Sequence, residues 1–193
     1  MELTDIRLRI VNFLRYLRKP RWFRLYISDR FITPNYTYAQ YFFTSECASD
    51  LVDKLDHFNN PCCLCTPRLA QEWFDRGRIV RVLDIDKRFI FLPGYKYYDM
   101  REPEVLDEEF DVIIADPIYN WEEAVLLRTI NTLSKQNYSQ KLLVVYYTNK
   151  KTSFLETFQD YGLKQTSYYP KYSSVQEEAA EKRVMCYSNF KFP

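Results

Sequence analysis

The sequence predicts one α/β domain built on a mostly parallel β-sheet, with helices on both faces and an antiparallel hairpin closing its C-terminal end. Three observations predict it. Short apolar runs alternate with helix-spaced segments from residue 38 onward. Residues 110–115 are nearly continuous in apolar side chains, as a central parallel strand buried on both faces must be. The 193 residues, 47% hydrophobic and 27% charged, are enough for a single core of this kind.

The elements follow in order. Residues 3–18 place Ile6, Ile10, Phe13, Leu14 and Leu17 at helical spacing, with Thr4 as N-cap and Pro20 as stop. Residues 22–27 read as an aromatic-rich extended piece, and residues 31–37 as a linker. Residues 1–37 thus form a basic helical arm, and residues 38–193 the domain proper. Thr44 or Ser45 caps a helix whose apolar face carries Ala48, Leu51, Val52 and Leu55. Cys62-Cys63-Leu64-Cys65 is a buried strand. Pro67 opens the next helix, at the position where its missing N–H costs nothing, and Gly77 ends it.

A second strand spans residues 79–85. A loop with Pro93 and Gly94 leads to a short strand near 95–98. The strongest strand, 110–115, stops at Asp116-Pro117. A helix over 121–135, a strand over 141–147 and a helix at 152–160 follow. Strands near 163–169 and 183–190 form the closing hairpin, and residues 171–181 between them read as a mobile loop.

Composition narrows the function. Only three glycines are present (Gly77, Gly94 and Gly162), which excludes the glycine-rich phosphate loops of kinases, GTPases and dehydrogenases. The net charge of +1 argues against strong nucleic-acid binding by the chain as a whole. Residues 1–30 nevertheless carry a local net of +5, leaving −4 for the rest. The basic residues of 7–30 therefore suit an acidic partner such as RNA. Arg7, Arg9 and Arg15 interrupt every apolar run, so no secretory signal or membrane span is read there. A basic amphipathic start is also the composition of a mitochondrial presequence. The five cysteines read as reduced, buried thiols of a cytoplasmic protein, and with His57 the only histidine no metal site is expected.

In an open sheet of this kind, ligands sit beyond the carboxyl ends of the strands. Thr66, Asp84 to Asp86, Asp99 and Asp116 all fall on that edge. An acid past the second strand suits ribose hydroxyls. Asp86, beyond the apolar run, is preferred over Asp84, and the alternative is an ordinary strand-end carboxylate paired with Lys87 or Arg88. Asp99 past the third strand suits an adenine amino group. Asp116-Pro117-Ile118-Tyr119 places an acceptor, a rigid proline and an aromatic ring after a buried strand. Such a turn can hold a substrate amine while leaving its lone pair free, and methyl transfer to nitrogen is largely positioning of that kind. A ring beside a sulfonium also gains about 0.5–2 kcal/mol.

These residues resemble a known family. Residues 38–46, from Tyr38-Ala39-Gln40 to Glu46, resemble the Gln-Phe-Trp-Tyr-Ser stretch of the elongation factor 1-alpha lysine methyltransferases, first described as N6-adenine methyltransferases. Cys65-Thr66-Pro67-Arg68-Leu69 is similar to the Ser/Thr-Pro turn that replaces their glycine-rich loop. Asp84-Ile85-Asp86-Lys87-Arg88-Phe89, Tyr97-Tyr98-Asp99, residues 110–117, Pro170 and Cys186-Tyr187-Ser188-Asn189-Phe190 match in order and spacing. The match spans about residues 38–190.

The resemblance implies a Rossmann-like, seven-stranded methyltransferase sheet and S-adenosylmethionine as methyl donor. It implies cofactor contacts from Gln40, Phe42, Thr44, Thr66, Pro67, Arg68, Asp86, Asp99 and Asp116, with Asp116, Pro117 and Tyr119 as the catalytic turn. The family pattern is Asp-Pro-Pro-Phe/Tyr, and Ile118 stands where the second proline belongs. Proline fixes φ and removes a backbone donor; isoleucine does neither. The implied activity is protein-lysine N-methylation, with elongation factor 1-alpha as substrate. The alternatives are adenine methylation in RNA, towards which the basic arm points, and a catalytically weak methyltransferase-like binding subunit.

Overall fold

The computed structural model describes residues 33–118, 122–175 and 182–192. The expected N-terminal helix, and with it most of the basic arm, lies outside the described residues.

Period-2 burial organises the sheet. Strands β1 (Pro61–Leu64), β2 (Arg81–Asp84), β4 (Val112–Ala115) and β5 (Lys141–Tyr147) bury successive side chains on opposite faces. Cys63, Val82, Ile114 and Val145 pack into one core with helices α1 (Ser45–Leu55) and α2 (Pro67–Asp75). Cys62, Leu64, Ile113 and Val144 pack into a second core with α3 (Glu123–Leu133) and α4 (Lys151–Thr157). Burial on both faces explains why these strands read as continuous apolar runs.

With β3 (Tyr95–Tyr97), β6 (Lys164–Gln165) and β7 (Val184–Ser188), the described residues form a seven-stranded sheet ordered β3-β2-β1-β4-β5-β7-β6. The first five strands pair in parallel, while β7 runs antiparallel to both β5 and β6. This is the expected class, with the hairpin strand β7 inserted beside β5.

Local chemistry sets the helix starts. The Thr44 hydroxyl accepts from the Cys47 backbone N–H at 3.1 Å and caps α1. Pro67 is the first residue of α2. The chain leaves α2 through Arg76 and Gly77, the latter at φ +88°, where glycine carries no steric cost.

Four of the five cysteines are buried and Cys65 is partly so; all are free thiols. Burial pushes the Cys63 thiol up to about 12, and Cys62 and Cys186 are raised for the same reason. They behave as small core hydrophobes.

Two expectations change. The strand expected over 163–169 shortens to Lys164–Gln165. The loop expected over 171–181 is packed down at its start: Tyr172 is buried and bridges to Phe43, while residues 176–181 lie outside the described residues. Among the described residues, no helix is long and apolar enough to cross a membrane.

Candidate active site

Strand β1 occupies the switch point of the sheet, with β2 on one side and β4 on the other. Crossovers diverge there and leave a crevice at the carboxyl ends. A cleft of about 460 Å³, its open mouth included, lies at this point. Its floor is made by Cys65 after β1, Asp84 and Ile85 at the end of β2, and Asp116-Pro117-Ile118 after β4. Pro67 at the start of α2 and residues 38–42 complete the wall.

The backbone hydrogen bonds run past the strand ends. The Cys65 N–H donates to the Leu83 carbonyl at 2.9 Å, and the Asp116 N–H to the Leu64 carbonyl at 3.2 Å. Cys65, Asp84 and Asp116 are thereby held side by side. Cys65 takes φ +55° and Ala39 φ +48°, so two non-glycine residues of the cleft sit in the left-handed region. That region costs about 1–2 kcal/mol for a residue with a Cβ. Strain of this kind concentrates at ligand sites. Ala39→Gly is expected to raise stability by about 1 kcal/mol, read as a melting temperature up by about 2–4 °C. A lowered melting temperature would contradict the strain.

Two segments close over the cleft. The first begins with a 3₁₀ turn at Tyr36–Tyr38 and continues to Phe43. Gln40 ties it down: its amide N–H donates to Asp86 at 2.9 Å, and its carbonyl accepts from Arg88 at 2.8 Å and from the Asn35 N–H at 3.0 Å. The second is the start of the β6–β7 connection. The Thr44 N–H donates to the Lys171 carbonyl and the Ser173 N–H to the Phe42 carbonyl, both at 2.9 Å. Tyr172 then donates its hydroxyl to both carboxylate oxygens of Asp116, each at 3.1 Å.

The sequence-predicted residues separate in space. Gln40, Phe42, Pro67, Asp116 and Pro117 line the cleft. Thr44 caps α1, and Arg68 donates to the Ser45 hydroxyl at 3.0 Å. Thr66 is buried, with its hydroxyl 3.4 Å from the Ile114 carbonyl. Asp99 faces Arg101, whose guanidinium donates at 2.6–3.1 Å and holds its carboxyl below the usual range. Tyr119 lies outside the described residues.

The two acids after β2 have different surroundings. Asp86 caps the 3₁₀ turn Lys87–Phe91 and is gripped by Arg88 at 2.6–3.1 Å. Burial disfavours its charge, but Arg88 and Gln40 outweigh this and hold its pKa low. Asp84 lines the cleft, is 5% exposed and accepts from the Asp86 N–H at 2.8 Å. Burial raises its pKa to about 7, and the Asp86 charge adds to this.

The sign of the linkage follows. A carboxyl raised above its ordinary value of 3.8 binds a proton in the fold that the unfolded chain has released. Its contribution is fully present below pH about 4 and is lost as pH rises through about 7. Wild-type melting temperature is expected to fall between pH 5 and 7.5 by more than that of Asp84→Asn. Parallel pH curves for the two proteins would refute the assignment.

Sequence reasoning missed Tyr38, Tyr41, Cys65 and Tyr172. Tyr38, Tyr41 and Cys65 lie within the stretches that carry the resemblance but have no site role assigned there, and Tyr172 carries no motif signal because it reaches Asp116 only through a long-range contact.

Comparison with known proteins agrees with the fold. Two solved structures share the fold at low identity. One is a TehB-like SAM-dependent methyltransferase from Corynebacterium glutamicum, with TM-score 0.51, 14% identity and coverage of 75% of this chain and 88% of that one. The other is a proposed RNA methyltransferase from Pyrococcus horikoshii, with TM-score 0.50, 13% identity and coverage of 86% and 92%. The mitomycin 7-O-methyltransferase MmcR is also similar (TM-score 0.49, 9% identity, 75% of this chain), but the chain spans only 52% of its length. No curated protein sequence matches. The sequence profile described as "Probable N6-adenine methyltransferase" matches residues 34–192. The chain belongs to that methyltransferase family.

Proposed function

We propose that the protein is an S-adenosylmethionine-dependent N-methyltransferase that modifies a lysine side chain, with translation elongation factor 1-alpha as the expected substrate. The observation that carries the reading is the Asp116 carboxylate, held at the cleft floor beside a buried ribose-type acceptor, Asp84. The cofactor fits the residues present: the cleft offers that buried acceptor and a wall that includes Tyr38 and Tyr41. Bound there, it supplies an electrophilic methyl group.

The residues of the chain do the rest. Asp84 accepts from ribose hydroxyls, and Tyr38, Tyr41 and Phe42 cover the cleft. Asp116 accepts an N–H of the acceptor amine and leaves its lone pair exposed, so the gain is one of orientation. A long lysine side chain can reach such a floor from outside. Ile118 in place of a second proline leaves the turn a backbone N–H and a free φ. The resemblance to the elongation factor methyltransferases supports the lysine reading.

The family description favours a second reading, adenine methylation in RNA, to which the basic residues of 7–30 would contribute. Purified elongation factor 1-alpha and total RNA, each offered with labelled S-adenosylmethionine, separate the two. Labelled protein supports the first reading. Labelled RNA replaces it with the second, and binding should then weaken with salt and with removal of residues 1–30. Cofactor binding without transfer to either indicates a non-catalytic binding subunit.

Calorimetric titration with S-adenosylhomocysteine tests the cofactor site directly. Ribose hydroxyls favour an ionised acceptor, so affinity is expected to rise several-fold between pH 6 and 8, as Asp84 loses its proton near 7. Asp84→Asn should remove that dependence. If Asp86→Asn removes it instead, the ribose acceptor is Asp86.

A further inference from the structure

We propose that Tyr172 is a positioning residue of this site, its hydroxyl orienting the Asp116 carboxylate towards the acceptor amine. The inference rests on the methyl-transfer reading above.

Asp116 follows a buried strand and is only half-buried itself, so its χ torsions are not set by packing alone. Tyr172 supplies a restraint. Its hydroxyl lies 3.1 Å from both carboxylate oxygens, a symmetric geometry that one donor shares between two acceptors. A neutral donor placed so leaves the negative charge on the carboxylate, where an amine can use it.

Tyr172 is itself rigid. It is 5% exposed, its ring centroid is 5.1 Å from that of Phe43, and Tyr41 meets it edge-on at 6.4 Å. The Phe43–Tyr172 bridge and the hydrogen bonds of Lys171 and Ser173 to the first covering segment lock its backbone. The tyrosine therefore transmits the position of both covering segments to the carboxylate. Misplacement by about 1 Å can cost on the order of 10²-fold in rate. Loss of one orienting bond, with the ring still in place, should cost less.

Tyr172→Phe keeps the ring contacts and removes only the hydroxyl. Steady-state kinetics with elongation factor 1-alpha should show kcat down about tenfold. KM, the Kd for S-adenosylhomocysteine and the melting temperature should stay close to wild type. An unchanged kcat would overturn the proposal. A parallel loss of kcat, cofactor affinity and melting temperature would also overturn it, by making Tyr172 a structural brace.

A second readout does not need activity. With 3-fluorotyrosine at position 172, the fluorine resonance should move on Asp116→Asn and stay put on Asp99→Asn. A resonance insensitive to Asp116 refutes the pairing. A sensitive one supports it even if wild-type protein methylates none of the acceptors offered, in which case the methyl-transfer reading is what fails.

Discussion

Asp116→Asn is expected to lower the rate of methyl transfer by about 10²–10³-fold, the usual cost of removing one pre-organised electrostatic group from a water-poor site. The asparagine has the same shape and can still accept from the Tyr172 hydroxyl, which now lies 3.1 Å from both carboxylate oxygens. The strand ladder is untouched, because the Asp116 N–H donates to the Leu64 carbonyl through the backbone. Melting temperature should therefore stay within a few degrees of wild type. Affinity for S-adenosylhomocysteine should change little, since Asp84 carries the ribose contact in this reading. What disappears is the negative charge that draws the amine and holds its N–H. Single-turnover transfer from labelled cofactor measures this loss. A rate within tenfold of wild type would remove Asp116 from the chemistry.

Gly94→Ala should be the most damaging substitution for the fold. A Cβ built on Gly94 would lie 1.7 Å from the Val80 carbonyl oxygen and 2.7 Å from its carbon. Both atoms belong to backbone, so no side chain can turn aside. Relief requires the turn before β3 to move away from β2. That movement would strain the Val82 N–H bond to the Gly94 carbonyl, 2.9 Å, and the Arg81 guanidinium bond to the same oxygen, 3.0 Å. Arg81 also grips Glu108 through two bonds of 2.6 and 2.9 Å. A loss of roughly 3–5 kcal/mol is expected, the range of severe core mutations. Set against a total stability of about 5–15 kcal/mol, this is a large share, and at the lower end of that range it would leave a measurable fraction unfolded. Urea denaturation checks it, with Gly77→Ala as the contrast. Gly77 has open space around it and only its φ of +88° to strain, so its cost should be nearer 1 kcal/mol. If the two variants unfold at similar urea concentrations, the steric argument at Gly94 is wrong.

The damage at Gly94 should also reach the cleft. Tyr95 follows it directly, and its hydroxyl donates to the Asp84 carbonyl at 3.1 Å. A displaced β3 would therefore loosen the end of β2 and with it the candidate ribose acceptor.

The division between what the chain announces and what the fold decides is physical. The sequence by itself determined the central strands, because burial on both faces demands continuous apolar runs such as residues 112–115 and 142–146, whereas the exposed edge strand Lys164–Gln165 left no such run. It determined the starts of α1 and α2, because a threonine cap and a first-turn proline act within three residues. It placed Asp84, Asp86, Asp99 and Asp116 on one edge, because parallel strands share a direction. Only the tertiary structure gave those acids different surroundings. Asp86 and Asp99 meet arginines two residues away, while Asp84 stays in the cleft, buried and raised towards neutrality. Only the tertiary structure brought Tyr172 to Asp116, across 56 positions of chain. Periodicity and caps are local forces and leave local marks. Packing between distant segments leaves no mark on either segment alone, and the candidate site is made from such contacts.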